Sequence, residues 1–286
     1  MAVPGLAPSS LDWRLQAAIG LLTVGAAIAL LVLHRERPLV FAFGVFLLEV
    51  GLLIAGRGFV RPFVTAGSVT WLPSFVVILL PVAAGIAILS WRGWWMSAGF
   101  TPPTQWRRLR LLWLLGLFLA LPALSLTRGV HVPGQELVPA ILYVLVATSM
   151  EEIFYRGIIL RSTIRYGVIP GVIISSALFG ASHVNNLFAS SSITPLYVLD
   201  QAWLAALGGI FLAAIRLRMN TIWPTIAAHA AYDLFSLLVY WVYAFAYRPT
   251  VSSLRWTTLF GAIFAAVGVF LLRRAKPSII PTELET

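Results

Sequence analysis

The chain has 286 residues, 60% hydrophobic and only 10% charged, with a mean hydropathy of +0.92. Soluble domains carry about a quarter charged residues, so this composition excludes an ordinary soluble enzyme, a disordered chain and a secreted disulfide scaffold, and leaves a polytopic membrane protein. Cysteine is absent, which excludes disulfides, thiolate metal sites and cysteine nucleophiles. The net charge of +10 comes from 20 Lys+Arg against 10 Asp+Glu. These cations stand singly or in twos and threes between apolar runs, where they face a lipid bilayer rather than nucleic acid.

Nine apolar stretches are long enough to cross a ~30 Å hydrocarbon layer at ~1.5 Å per residue. They are residues 11–33, 38–56, 69–90, 109–127, 137–160, 168–187, 195–215, 220–247 and 255–272. The expected fold is therefore all-α, a polytopic helical bundle of eight or nine transmembrane helices. The first stretch has no basic segment before it and is longer than the ~7–15 apolar residues of a cleaved signal, so it is expected to remain as a helix. Stretches 38–56, 69–90 and 168–187 are interrupted by Gly and Pro or left short by them. Trp91, Trp94, Trp95 and Trp106 flank a basic loop over 92–110, which is expected to lie at the membrane surface. Nine spans with the N-terminus outside place 14 of the 20 cations on the cytoplasmic side and 6 on the other, the sense of the positive-inside rule.

An ionisable side chain within a span is costly and usually marks a pathway or a site. Glu49, Glu151, Glu152, Asp200, Asp233, His183 and His229 fall within spans. Glu49 is expected to find an Arg on another helix or to line a cavity. Asp200 is expected to pair with Gln201 or with head groups. The remaining five lie in three patterns.

In Glu151-Glu152-Ile-Phe-Tyr-Arg156, Glu152 and Arg156 are i and i+4 with the acid first, the favourable orientation for an ion pair. Glu151 points about 100° away and is left for other work. In Phe179-Gly-Ala-Ser-His183, the ring and the imidazole share a face, although a lone intramembrane His is often only an interhelical hydrogen-bonder. In His229-Ala-Ala-Tyr-Asp233, a carboxylate again stands one turn from an imidazole and could fix its tautomer. Counted at ~1.5 Å per residue, Glu151 lies ~15 Å from Arg161, His229 ~16 Å from Arg218 and His183 ~20 Å from Pro170. One layer therefore holds all three groups, and a polar cavity opening towards the cytoplasm is expected.

Two chemistries fit such a cavity. Glu151 could act as a general base on a water that His183 positions, with His229 and Asp233 directed at the substrate carbonyl. Alternatively Glu151, His183 and His229 could bind a divalent metal, zinc first, that activates the water. No HExxH pattern is present to establish a metal by spacing, and Ser175, Ser176 and Ser182 lack a G-x-S-x-G setting. A proton-coupled transporter would use the same buried groups as a relay, but no inverted repeat is visible.

The ordered set Glu151-Glu152-x-x-x-Arg156, Phe179-x-x-x-His183 and His229-x-x-x-Asp233 resembles the CPBP family, the CAAX-prenyl-protease and bacteriocin-processing intramembrane proteases that include the Ras-converting endopeptidases. The resemblance covers about residues 137–247 and implies a catalytic helical core there. Residues 1–136 would be transmembrane helices of unassigned role, and 248–286 a last span with a cytoplasmic tail. It implies Glu151 as the catalytic glutamate, His183 as a ligand of water or metal, His229 and the residue four later as oxyanion stabilisers, and Glu152 and Arg156 as support. The family usually carries Asn where this chain has Asp233, and a carboxylate donates no hydrogen bond unless protonated. Asp233 is thus expected to orient His229, bind metal or stay protonated, and a non-catalytic immunity or scaffold protein is a further alternative. The expected partner is a membrane-anchored, lipid-modified or sorting-tagged peptide or protein, met at the cytoplasmic face of a prokaryotic plasma membrane.

Overall fold

A computed structural model describes residues 11–63, 71–102, 110–189, 193–240 and 249–273. The described residues are helical and contain no strand. In chain order the long helices are α1 (Trp13–Leu33), α2 (Pro38–Val60), α3 (Trp71–Arg92), α4 (Leu112–Ser125) and α5 (Gly134–Glu152). A π-helical turn (Ile153–Ile159) joins α5 to the short α6 (Leu160–Thr163), and α7 (Val168–Ser182), α8 (Pro195–Met219), α9 (Trp223–Tyr240) and α10 (Val251–Arg273) follow. Among the described residues seven helices are long and apolar enough to cross a membrane, and the protein is an integral membrane protein.

Each of the nine predicted stretches corresponds to helix, with two differences in kind. The fourth stretch yields the shorter apolar helix Leu112–Arg128. The eighth, expected over 220–247, is described as Trp223–Tyr240, and Thr225, His229, Asp233 and Ser236 make that helix too polar to count among the seven. Its last predicted residues, like Trp106 and most of the 92–110 loop, lie outside the described residues. The fifth span runs on through the π turn as Gly134–Tyr166. The second continues past its predicted end at residue 56 to Phe63, because Arg57 is buried and satisfied rather than facing a membrane surface.

Helices in lipid gain little from mutual apolarity and associate where small residues let backbones approach. The α1–α2 hairpin shows this directly: a Cβ on Gly20 would lie 2.3 Å from Ala55 N, and one on Gly58 would lie 2.6 Å from Ala17 N. Helix α7 meets α8 in the same way, where a Cβ on Gly180 would lie 2.5 Å from Ala202 O. Burial of the apolar stretch falls from 61% in α2 to 28% in α1 and α10, so α2 is internal and the other two are peripheral. One apolar cluster gathers around Phe154, Tyr155 and Ile158 against α2, α3 and α7. A second is built around Phe118, Phe211 and Phe264, joining α4, α8 and α10. Helix α5 packs on α3 and α9, which brings the end of α5, the π turn and α9 to one place between the clusters.

Candidate active site

The last turn of α5 carries Glu151 and Glu152 towards α9. Arg156 Nη1 donates to Glu152 Oε1 at 2.9 Å, the i and i+4 pair expected from the spacing. His229 Nδ1 donates to the same oxygen, also at 2.9 Å. The imidazole is therefore held through Nδ1 by Glu152 on a neighbouring helix, a role the sequence offered to Asp233. This orientation presents Nε2 to two other carboxylates, 3.5 Å from Glu151 Oε2 and 3.6 Å from Asp233 Oδ2.

Burial separates the two glutamates. The Glu152 side chain is 0% exposed and Glu151 22%. One carboxylate is locked into an ion pair and a hydrogen bond, while its sequence neighbour retains access to a small molecule. Phe179 floors the site: its ring stands edge-on to His183 at 5.1 Å and to His229 at 5.6 Å, and Arg156 Cζ lies 4.1 Å from its centroid. A guanidinium over an aromatic face is favourably placed, more so out of water.

His183 stands one turn from Phe179 and against its ring, as the spacing predicts. It begins the 3-10 turn His183–Phe188 at the end of α7, and its Nδ1 is 2.9 Å from the Phe179 carbonyl. A carbonyl only accepts, so Nδ1 donates and Nε2 is the remaining ring nitrogen. The donor atoms that lie within 4.8 Å of one another and could hold a metal belong to Glu151, His229 and Asp233. His183 is not among them, whereas the expected set was Glu151, His183 and His229. Its place is beside the group, across the Phe179 ring from His229.

Several neighbours were not legible as site residues. Glu49, expected to find an Arg on another helix or to line a cavity, is buried and accepts from the Tyr155 hydroxyl. The Tyr155 ring lies 5.0 Å from Phe179, and its carbonyl accepts from Ser175 Oγ at 2.6 Å. Ser175 is thereby occupied by the π turn. Arg57 Nη1 donates to the Asn185 carbonyl at 2.8 Å and to its side-chain oxygen, and Asn185 Nδ2 donates to Ser182 O at 2.5 Å. Arg57 thus clamps the turn that follows His183. Gln201 accepts from Asn186 Nδ2 at 2.9 Å rather than pairing with Asp200, whose Oδ1 has no hydrogen-bond partner.

Three carboxylates therefore share a small intramembrane volume with one imidazole and one guanidinium. That excess of negative charge favours a cation, either a proton or a divalent metal. His Nε2 with two carboxylates is a donor set that suits zinc, and Glu152 on His229 Nδ1 is the second carboxylate that commonly orients a metal-bound imidazole.

The fold and this cluster define an integral membrane protein with a carboxylate–imidazole site among its helices. Residues 133–235 match the family model described as type II CAAX prenyl endopeptidase Rce1-like, a segment that contains Glu151, Glu152, Arg156, His183, His229 and Asp233. No curated protein and no solved structure matches the chain.

Proposed function

We propose that the chain is an intramembrane endopeptidase whose catalytic core spans residues 137–247. Its substrate would be a membrane-anchored, lipid-modified or sorting-tagged peptide or protein, cleaved on the cytoplasmic side of a prokaryotic plasma membrane. The observation that carries the reading is the convergence of Glu151, His229 and Asp233 within 4.8 Å, backed by the buried Glu152–Arg156 pair. The Rce1-like match over the same residues supports it.

In this mechanism Glu151 is the general base. It is the most exposed of the three carboxylates, and it takes a proton from the water that attacks the scissile carbonyl carbon. The proton then passes to the departing amine, so peptide and water become a carboxylic acid and an amine. Glu152 holds His229 by Nδ1 and keeps Nε2 turned to the reacting space. His183, with Nδ1 committed to Phe179 O, offers Nε2 to the same water. Arg156 balances the charge of Glu152 and leaves Glu151 facing His229 Nε2. Asp233 narrows the space around His229 Nε2 and, as a carboxylate, does not donate to an oxyanion. When a divalent metal is bound, Glu151, His229 and Asp233 would hold it, and it would supply Lewis acidity to a water and a carbonyl.

The proposal is tested by comparing the membrane peptides of cells carrying the native chain with those of cells carrying Glu151→Gln, which removes the base and little else. Precursors that accumulate uncut with the variant support the reading. An unchanged peptide pool, with the variant folded at native levels, counts against it. Metal content separates the two chemistries: if zinc is held here, purified native protein carries about one zinc by elemental mass spectrometry, and Asp233→Asn weakens zinc binding at least about tenfold. Equal zinc in the native protein and in Glu151→Gln would contradict the metal form.

A further inference from the structure

Away from this cluster, guanidinium groups from three helices meet at the end of the bundle that carries Trp91, Trp94 and Trp95. Trp94, in the turn after α3, is their common contact: Arg92 Cζ lies 4.8 Å from its ring centroid and Arg161 Cζ 5.0 Å. Arg216, in the last turn of α8, is 5% exposed and close enough to Arg161 for the two charges to act on each other. Its Nη2 donates to the Ser97 carbonyl at 2.5 Å, and its buried Nε has no hydrogen-bond partner. Among the described residues no carboxylate pairs with Arg216.

The frame around these side chains is fixed. Ile222 N donates to Gly99 O at 2.9 Å, Thr101 Oγ1 to Asn220 O at 3.0 Å and Thr221 Oγ1 to Thr101 O at 2.7 Å. These bonds stitch the turn after α3 to the turn between α8 and α9. Glu36 lies 3.8 Å from Arg92 and is 71% exposed, on the rim rather than beside Arg216.

Arg216 is a buried charge that no carboxylate among the described residues pairs, and a second guanidinium close enough to act on it adds repulsion, both of which are unfavourable. An anion between them offsets both costs. A phosphate fits best, because its oxygens match the planar fork of Arg donors. Basic pockets between transmembrane helices at a tryptophan-rich boundary are where lipid headgroups sit. We propose that Arg92, Arg161 and Arg216 form a binding site for a phosphate-bearing anion, the phosphodiester headgroup of an acidic phospholipid. The site shares no residue with the Glu151 cluster and stands whether or not the chain is a protease.

The test uses the full chain purified in mild detergent, with native mass spectrometry for retained lipid and thermal melting for stability. Added phosphatidylglycerol is expected to be retained and to raise the melting temperature, whereas phosphatidylcholine does neither. Each Arg replaced by Gln is expected to weaken phosphatidylglycerol retention about fivefold, the worth of one cation near an anionic membrane surface. Arg216→Gln is the first variant, and Arg92→Gln, at the less buried rim, serves if the first does not fold. Stabilisation by inorganic phosphate equal to that by phosphatidylglycerol would keep the anion site and assign it to free phosphate. Equal retention of phosphatidylglycerol by the native chain and the variants would overturn the proposal, as would the absence of any response to either anion.

Discussion

Glu152 Oε1 accepts from Arg156 on one side and from His229 on the other, both at 2.9 Å, in a place closed to solvent. Removing one partner of a buried ion pair leaves the other uncompensated, at a cost of about 3–5 kcal/mol. Arg156→Leu should therefore unfold markedly earlier in a thermal or denaturant titration, and a change under about 1 kcal/mol would contradict the pairing. The Tyr155 hydroxyl is the donor that reaches Glu49. Tyr155→Phe leaves that buried carboxyl unserved and is expected to cost about 1–3 kcal/mol in the same titration, whereas Glu49→Gln, still an acceptor, should cost less. The sequence revealed the Glu152–Arg156 pair because i and i+4 on one helix need no knowledge of the fold. The bond from His229 to Glu152, the Glu49–Tyr155 pair and the grip of Arg57 on Asn185 were hidden, since each joins helices far apart in sequence and depends on how they turn towards one another.

At the scale of the element, the site depends on one break in helical regularity and one close crossing. The π turn Ile153–Ile159 follows Glu152 directly and carries Tyr155 and Arg156, the side chains that reach Glu49, Phe179 and Glu152. Hydrophobicity could not signal it, because 153–159 reads as an apolar continuation of α5 except for Arg156. The crossing of α7 on α8 at Gly180 sets the height of α7, and hence of Phe179 and His183. With Ala202 O only 2.5 Å from where a Cβ would stand, Gly180→Val must push the two helices apart. The expected result is a protein that melts several degrees lower and cleaves more slowly. Native melting and native turnover in that variant would contradict the role given to the crossing. Span positions were legible throughout, because ~20 apolar residues announce a crossing. Their ends were not: α2 runs on through Arg57, whose partner is the turn after α7 and not a residue of α2.

At the scale of the whole molecule, α1 and α10 lie at the periphery and α2 runs through the middle, so the helices ahead of the Rce1-like segment are part of the wall around the site. Glu49 and Arg57 come from that part of the chain, one reaching the π turn and the other the turn after His183. Separating residues 1–136 from the rest is accordingly expected to abolish activity even though every motif residue is retained. The charges divide in the same spirit, with acids gathered around His229 and arginines around Trp94. The central claim is that Glu151 activates water to break a peptide bond within the membrane. Its most direct test is to add the purified protein, in lipid, to membranes of cells lacking it, in water enriched in oxygen-18, and to sequence the released peptides by mass spectrometry. Peptides bearing one heavy oxygen at a new C-terminal carboxylate, formed by the native chain and absent with Glu151→Gln, are the predicted result. No labelled peptide beyond those formed with Glu151→Gln would contradict it.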